Sequence, residues 1–184
     1  TSNLYSAQNL ETITVTSSLI KSDEKSATFA TEIYTKEDIQ SSKSKDVYDF
    51  LSSQTSVNVS SYFGNGFSQL LDLRGYGIAN GGENVVVLVN GRRMNNIDSA
   101  PQLLSSIPIE SIERIEILKG SGSVAFGDGA NAGVINIITN GKNDNYIKSY
   151  VGNNGTKNAT ASLGFNYEKI IANALIDYTS TDGT

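Results

Sequence analysis

The sequence predicts an α+β fold with a small mixed β-sheet, followed by longer amphipathic β-strands. Three observations lead to this prediction. Short β-branched segments bounded by Gly, Asn or Pro fill the middle of the chain. Helical patterns occur among them without a regular strand–helix–strand repeat. Beyond residue 146, apolar and polar residues alternate strictly through two successive segments.

The composition excludes several classes of function. The chain has 184 residues with no Cys and no His, so it contains neither a disulfide nor a Ser-His-Asp triad. Its formal net charge is -5, and without a basic excess we expect no binding to nucleic acid. The Asp and Glu residues are scattered, and no paired-carboxylate site or calcium loop is recognisable. We therefore predict that the protein is not an enzyme and has no metal site and no cofactor.

The first 27 residues are predicted to be an extension that precedes the folded domain. Within it, the sequence ETITVT at 11–16 is typical of a short strand-like peptide. Residues 17–27 are small, polar and charged, as in a flexible linker. An ordinary N-terminal strand of the domain is the alternative interpretation of 11–16.

Residues 28–141 are predicted to form the folded domain, which begins with a strand near 29–35. Thr35 and Asp38 have the spacing of a capping box, so a helix starts there. Ser44 is predicted to cap a second helix, and Pro101 suits the first position of a third. The predicted helices lie near 36–40, 45–52 and 101–105.

The predicted sheet has four strands, near 69–73, 85–89, 112–118 and 134–138. Asn90-Gly91 predicts a type I′ hairpin after the second of them. Arg74 follows the first, either as a surface residue or as a semi-buried one that needs a carboxylate. The Gly-rich segment 120–133 has the spacing GxGxxxxG, which departs from nucleotide-binding loops. It is predicted to be a tight connection between two strands.

Residues 142–184 form a third region, in which 159–167 and 172–179 alternate between apolar and polar residues. Each segment spans about nine residues and one of its faces is apolar, which resembles transmembrane β-barrel strands. An antiparallel hairpin with one solvated face is the alternative.

Four segments in this order carry a family resemblance: ETITVT (11–16), LRGYG (73–77), VVVLVNGRRM (85–94) and IPIESIERIEILKGSGSVAFGDGANAGVINIIT (107–139). They resemble the plug domain of TonB-dependent outer-membrane receptors. The resemblance spans about residues 11–140, and it implies that 142–184 are the first two or three strands of the barrel. Family barrels have about 22 strands, so the barrel is incomplete in this chain.

The resemblance also implies two sets of site residues. The peptide that binds the TonB periplasmic domain is Glu11, Thr12, Ile13, Thr14, Val15 and Thr16. The plug residues that contact the barrel wall are Arg74 and Lys119. This chain has Lys119-Gly120-Ser121 where the family usually has Arg-Gly-Pro, and Lys lacks the planar fork of Arg.

The function implied by the resemblance is gated import across the outer membrane of a Gram-negative cell. The plug would lie in the barrel lumen facing the periplasm. Its partners would be TonB, its own barrel, the outer membrane, and a nutrient ligand such as a ferric siderophore, haem or cobalamin. A soluble periplasmic or surface ligand-binding module with the same α+β domain is the alternative.

Overall fold

The computed structural model describes residues 14–15, 22–23, 30–61, 69–94, 104–120, 126–139, 145–167 and 170–182. The strands are β1 (Thr14–Val15), β2 (Ser22–Asp23), β3 (Ala30–Thr35), β4 (Asn58–Ser61), β5 (Gln69–Asp72), β6 (Val85–Val89), β7 (Arg92–Arg93), β8 (Ile112–Lys119), β9 (Gly133–Thr139), β10 (Tyr146–Val151), β11 (Lys157–Tyr167) and β12 (Ile170–Ser180). The helices are α1 (Lys36–Ser42), α2 (Val47–Gln54) and α3 (Gly77–Asn84), with 3-10 turns at Leu104–Ser106 and Ile109–Ser111. No helix in these ranges is both long and apolar enough to cross a membrane.

A five-stranded mixed sheet with the order β3-β8-β9-β6-β7 forms the centre of the fold. The strands β6 and β9 are parallel, whereas the other neighbours are antiparallel. The sequences VVVLV and GVINIIT are almost continuously apolar because both faces of these inner strands are buried. The predicted mixed sheet is therefore confirmed, with strands at 85–89, 112–119 and 133–139.

The strand predicted near 69–73 belongs to a different sheet. Residues 69–72 form β5, which pairs with β4 in a separate antiparallel ladder. The prediction that it joins the central sheet is wrong. Leu71 and Leu73 still reach the core, since both are buried in the main hydrophobic cluster. Apolar patterning thus identified the strand, but the pattern does not specify which partner the strand takes.

The first predicted helix is confirmed as α1. Thr35 is its N-cap, and a complete capping box joins the Thr35 backbone and side chain to Asp38. The second helix, α2, begins later than predicted, because Asp46 caps it through a 2.8 Å bond from the backbone N–H of Asp49. Ser44, the predicted cap, lies in the preceding loop, where its backbone N–H bonds to Ser42.

Of the helix predicted near 101–105, residues 101–103 lie outside the described ranges. Leu104–Ser106 is a 3-10 turn, and the Leu104 side chain is fully buried. In the Gly-rich connection, 121–125 also lie outside the described ranges, and 127–132 are turns and bends between β8 and β9.

The helix α3 was not predicted, because its sequence GIANGGEN is rich in Gly, which disfavours helix. Packing compensates for this low propensity. A Cβ added at Gly82 would lie 3.1 Å from Leu70 Cδ2, so the helix approaches β5 closely. The Asp72 carboxylate accepts bonds of 3.0 Å from the backbone N–H groups of Tyr76 and Gly77 at its start.

The core lies mainly between one face of the sheet and the helices α1 and α2. Inward-facing Ile residues of β8 and β9 pack there against Ile39, Phe50 and Leu51. A smaller cluster on the opposite face contains Val86, Leu118 and Val134 with Ala130. Both clusters consist of residues before 140, so the described core belongs to the segment 30–139.

The strands β10, β11 and β12 form a separate three-stranded antiparallel sheet. Its register puts six large apolar side chains on one face, all exposed: Ile147, Val151, Leu163, Phe165, Ile176 and Tyr178. On the other face Thr160 and Ser162 are buried, although both are polar. The exposed face of the sheet therefore carries large apolar side chains and the buried face carries polar ones. In a water-soluble protein an antiparallel sheet has the opposite arrangement, with its apolar face buried.

Candidate coupling and wall-contact sites

The predicted TonB-binding peptide is described only at Thr14 and Val15, and residues 11–13 and 16 lie outside the described ranges. These two residues form β1 and pair antiparallel with Ser22 and Asp23 of β2. The segment 17–27 was predicted to be a linker, and the structure places a short strand within it. Thr14 and Val15 thus have the extended conformation that strand addition requires.

Arg74 lies two residues after the end of β5, where the chain passes from the core to the surface. Its side chain is exposed and its backbone is left-handed, with φ 69. Among the described residues, no carboxylate lies within ion-pair distance of it. Of the two alternatives for this residue, the surface position is the observed one, while the neighbouring Leu73 is buried.

Lys119, the second predicted wall contact, is engaged within the domain. Its Nζ forms an ion pair with Glu32 Oε1, and both side chains are partly buried, with 33% and 24% of their area exposed. Glu32 Oε2 accepts hydrogen bonds from Ser56 Oγ at 3.3 Å and from Tyr34 OH at 3.2 Å. We call these four residues, Glu32, Tyr34, Ser56 and Lys119, the Glu32 cluster.

Register and packing explain the Glu32 cluster. Glu32 pairs with Ile117 across β3 and β8, so Lys119 is its diagonal neighbour on the same face. The Tyr34 ring stands edge-on to Phe50, with ring centroids 5.4 Å apart. The Tyr34 hydroxyl also lies 3.0 Å from the Gln54 carbonyl oxygen, which joins the strand to the end of α2.

The Glu32 cluster shifts two acidities. Burial alone raises the pKa of Glu32, but the bonds and charge of Lys119 and the bond from Ser56 outweigh it, so the pKa is lowered overall. Burial, together with the negative charges of Glu32 and Asp38, raises the pKa of Tyr34 to about 12. Both pKa shifts therefore favour the protonation states at neutral pH, in which the Glu32 carboxylate is ionised and accepts a hydrogen bond from the neutral Tyr34 phenol.

A contact that was not predicted joins the central domain to β10. Glu110 Oε1 lies 3.5 Å from Lys148 Nζ, and the Glu110 side chain is the more buried of the two. Beside this ion pair is an open cavity of about 410 Å³, whose lining includes Lys43, Lys45 and Tyr150. The domain therefore has an ion pair with the three-stranded sheet, in which the acid lies on the domain and the base on the strand.

The inward face of the three-stranded sheet is also bonded internally. Thr160 Oγ1 donates to Asp177 Oδ1 at 2.6 Å, and Asn158 Nδ2 donates to the same carboxylate at 3.0 Å. Thr160 and Asp177 are directly opposite each other in the register of β11 and β12. Side chains on this face thus satisfy one another, which suits a surface that borders a polar lumen.

The sequence analysis did not identify Glu32, Ser56, Glu110 or Lys148 as site residues. Their contacts depend on which strands pair and in which register, and single-sequence patterns do not contain that information. Glu32 offered one usable sign, since it is a charged residue within a β-branched segment. No group of three or more potential metal ligands occurs in the described part of the chain.

Comparison with known proteins identifies the class of protein. The sequence matches the TonB-dependent Receptor Plug Domain family over residues 23–134, more than half of the chain. The chain belongs to this family. It is a family of receptors, which fits the expectation that the protein is not an enzyme.

Curated relatives include the vitamin B12 transporter BtuB of Vibrio vulnificus (strain CMCP6). It is 31% identical over 132 residues, which cover 72% of this chain and 21% of the relative. BtuB of Vibrio cholerae serotype O1 (strain M66-2) is 32% identical over 133 residues, with coverage of 72% and 21%. The chain thus spans about a fifth of the length of these relatives.

Solved structures show the same fold. The pyoverdine outer membrane receptor FpvA of Pseudomonas aeruginosa PAO1 has a TM-score of 0.70 at 17% identity, covering 91% of this chain and 24% of that one. The siderophore receptor PirA of Acinetobacter baumannii has a TM-score of 0.51 at 26% identity, covering 73% and 21%. The predicted fold class, a mixed-sheet plug domain followed by the first strands of a barrel, is confirmed.

Proposed function

We propose that this chain is the plug of a TonB-dependent outer-membrane transporter. It gates the energy-coupled uptake of a scarce nutrient such as a ferric siderophore, haem or cobalamin. One observation carries the proposal: a domain of the plug family continues into a sheet that exposes six large apolar side chains on one face. A vitamin B12 transporter and a siderophore receptor among the similar proteins support this class of cargo.

The exposed apolar face is the part of the chain that requires a membrane. Ile147 and Val151 are 84% and 82% exposed, and in water such a surface favours association. Facing lipid, the same side chains are stabilised, while the polar face with Thr160 and Asp177 borders the lumen. In a soluble periplasmic or surface module the same apolar face would be exposed to water, which is unfavourable. We place the protein in the outer membrane of a Gram-negative cell, with the plug in the lumen facing the periplasm.

The energy for gating comes through the N-terminal extension. A TonB periplasmic domain binds residues 11–16 by strand addition, in which backbone hydrogen bonds carry both the affinity and the pull. The extended backbone of Thr14 and Val15 supports this role. Because β3 is the first strand of the central sheet along the chain and lies at its edge, a pull on the preceding extension reaches the central sheet at that edge.

Arg74 and Lys119 are proposed to contact acidic residues of the barrel wall. For Arg74 the support is its exposure and the lack of an ion pair with any described residue. For Lys119 the contact must compete with Glu32, which already holds its ammonium group. Arg74 is therefore the stronger candidate of the two.

Binding of the purified chain to a TonB periplasmic domain tests the proposal. Ile13→Pro and Val15→Pro each remove a backbone N–H and restrict the preceding residue, so strand addition fails. We expect titration calorimetry to show binding by the unsubstituted chain and its loss in both variants. Ser2→Pro, outside the peptide, is the matched control and should bind normally. Equal binding by all four proteins would show that 11–16 is not the coupling peptide.

A further inference from the structure

The strand β3 is the first element of the central sheet that a pull on the N-terminal extension would load. It stands at the edge of the sheet, and β8 is its only neighbour among the described strands. Six residue pairs join the two strands, from Ala30 with Lys119 to Thr35 with Arg114. The chain enters at the Ala30 end, so the pair of Ala30 with Lys119 is the first that tension reaches.

The Glu32 cluster lies at the point where this opening would begin. Glu32 is the third residue of β3, and its two carboxylate oxygens bind Lys119 on one side and Ser56 and Tyr34 on the other. Backbone pairs at Ala30 and Thr31 are therefore the only ones that open before the cluster is strained.

Two of the three partners of Glu32, Lys119 and Ser56, are fixed to parts of the plug outside β3, whereas Tyr34 lies on β3 itself. Lys119 belongs to β8, which is paired on both sides, and the next residue is tied by a 3.0 Å bond from the Gly120 N–H to the Ala132 carbonyl. Ser56 follows α2, whose Phe50 and Leu51 are fully buried. The carboxylate thus joins a removable edge strand to two anchored elements.

We infer that the Glu32 cluster is a latch that holds β3 in the sheet and determines how readily a pull on the extension releases it. The inference rests on the proposed function, since it takes residues 11–16 as the point where force is applied. An edge strand without side-chain ties opens easily, whereas β3 leaves the sheet only when the bonds of Glu32 break. The Glu32–Lys119 pair is partly exposed, so water hydrates both charges when the strand opens, and the added resistance is modest and the step reversible.

In the latch, Lys119 holds β3 in the sheet, which is a different role from contact with the barrel wall. If Lys119 secures β3, the effect of replacing it is confined to that strand and does not require a barrel or TonB. A residue that stabilises the whole domain would instead affect every strand alike. The distinction can be measured in the chain itself by local opening.

Native-state hydrogen exchange on the 184-residue chain in detergent micelles tests the inference. Lys119→Met keeps the aliphatic stem and removes the charge, and we expect the amides of 30–35 to exchange about five-fold faster, equivalent to ~1 kcal/mol. Amides of β6 and β9 should be unchanged. Lys119→Arg should restore slow exchange. Lys148→Met, which removes a lysine from the ion pair with Glu110, is the matched control and should leave 30–35 unchanged.

Two outcomes overturn the latch: amide exchange that accelerates equally in β3, β6 and β9, or amide exchange that does not accelerate in β3.

Force spectroscopy provides a second test. The chain has no cysteine of its own, so Thr1→Cys and Asn153→Cys create unique attachment points. The event that releases β3 should occur at lower force with Lys119→Met and at unchanged force with Lys148→Met. Neither measurement uses TonB, so failure of the latch is separate from failure of 11–16 to bind TonB.

Discussion

The side chain of Asn90 and residue Thr139 are joined by two hydrogen bonds, although 49 positions separate them. Asn90 Nδ2 donates to Thr139 Oγ1 at 2.7 Å, and Asn90 Oδ1 accepts from the Thr139 N–H at 2.9 Å. Asn90 is in the left-handed region, with φ 51, at the first turn position of the hairpin between β6 and β7. One residue thus shapes the hairpin and also secures the last residue of β9.

These two roles of Asn90 can be separated by substitution. Asn90→Ala loses both hydrogen bonds and strains the left-handed backbone, so we expect a loss of about 2–3 kcal/mol in the free energy of unfolding. Asn90→Gly loses the bonds but accepts the backbone, and it should cost about 1 kcal/mol less than Ala. Equilibrium denaturation of both variants measures the difference. Equal losses in the two variants would mean that the turn backbone contributes nothing.

Gly133 is predicted to tolerate no side chain. A Cβ at this position would meet the Leu118 carbonyl oxygen, and it would lie 2.9 Å from Leu73 Cδ1. Because the first of these atoms is backbone of the paired strand β8, it cannot move aside without disrupting the sheet. We expect Gly133→Ala to cost about 3 kcal/mol or more in unfolding free energy. Gly152→Ala, with its nearest contact at 3.4 Å, is the control and should change stability by less than ~0.5 kcal/mol.

The sequence predicts those parts of the fold that depend on local chemistry. The capping box of Thr35 and Asp38, the Asn90-Gly91 turn and the apolar runs of β6 and β9 are each formed by neighbouring residues. The structure therefore agrees with the predictions there. The cap of α2 is an exception: Ser44 was predicted, but the Asp46 carboxylate accepts the bond from the Asp49 N–H.

The parts of the fold that the sequence does not predict depend on contacts between residues far apart in the chain. The strand β5 was recognised, but its pairing with β4 is a long-range choice. The helix α3 has unfavourable propensity and is stabilised by packing on β5. The Glu32 cluster exists only because β3 pairs with β8 in one particular register, some 80 residues further along the chain. Of the Glu32 cluster, the sequence analysis named only Lys119, and it named it for contact with the barrel wall, which stays a prediction.

Arg74 is predicted to be dispensable for the stability of this chain. Its side chain is exposed, and its backbone is left-handed. Arg74→Ala should therefore change the free energy of unfolding by about 0–1 kcal/mol. Arg74→Gly removes the same side chain but suits the positive φ, so it should be at least as stable as Arg74→Ala. A loss of several kcal/mol in both variants, measured by denaturation, would identify Arg74 as an internal structural residue.

The Glu32 cluster makes stability depend on pH at both extremes. Folding lowers the pKa of Glu32, so the Glu32 carboxylate stabilises the folded chain at pH values above its ordinary pKa. This stabilisation is lost as the pH falls through the lowered pKa. Folding raises the pKa of Tyr34 to about 12, so the neutral phenol stabilises the folded chain at pH values below the ordinary pKa of Tyr, and this stabilisation is lost as the pH rises from that pKa toward 12. Both contributions are present at neutral pH.

Denaturation across pH isolates these contributions by comparison with variants. Glu32→Gln should be less stable than the unsubstituted chain at neutral pH, and the difference should shrink in acid, below the ordinary pKa of Glu32. Tyr34→Phe should flatten the decline in alkali and leave the acid limb unchanged. Parallel curves for Glu32→Gln and the unsubstituted chain throughout the acid range would show that Glu32 gains nothing from Lys119 and Ser56.

The strands β10, β11 and β12 are predicted to be separable from the plug. The hydrophobic clusters contain no residue beyond 137, whereas the exposed apolar face belongs entirely to these strands. Deleting everything after Gly141 removes the ion pair between Glu110 and Lys148, which is worth about 0–1 kcal/mol at such exposure. We therefore expect a soluble domain that unfolds cooperatively in denaturant and associates less in light scattering.

The outcome of this deletion also discriminates between a membrane-facing sheet and a structural one. Replacing Leu163 and Phe165 by Ser in the full chain keeps the strands but removes much of their apolar surface, since these side chains are 63% and 74% exposed. If that surface drives association, the double variant should scatter light as little as the deletion does. If the deletion instead unfolds 30–139, while the double variant stays folded, then the polar face of β10–β12 supports the plug. In that case the three-stranded sheet belongs to the domain's own structure, and a soluble module becomes the better description.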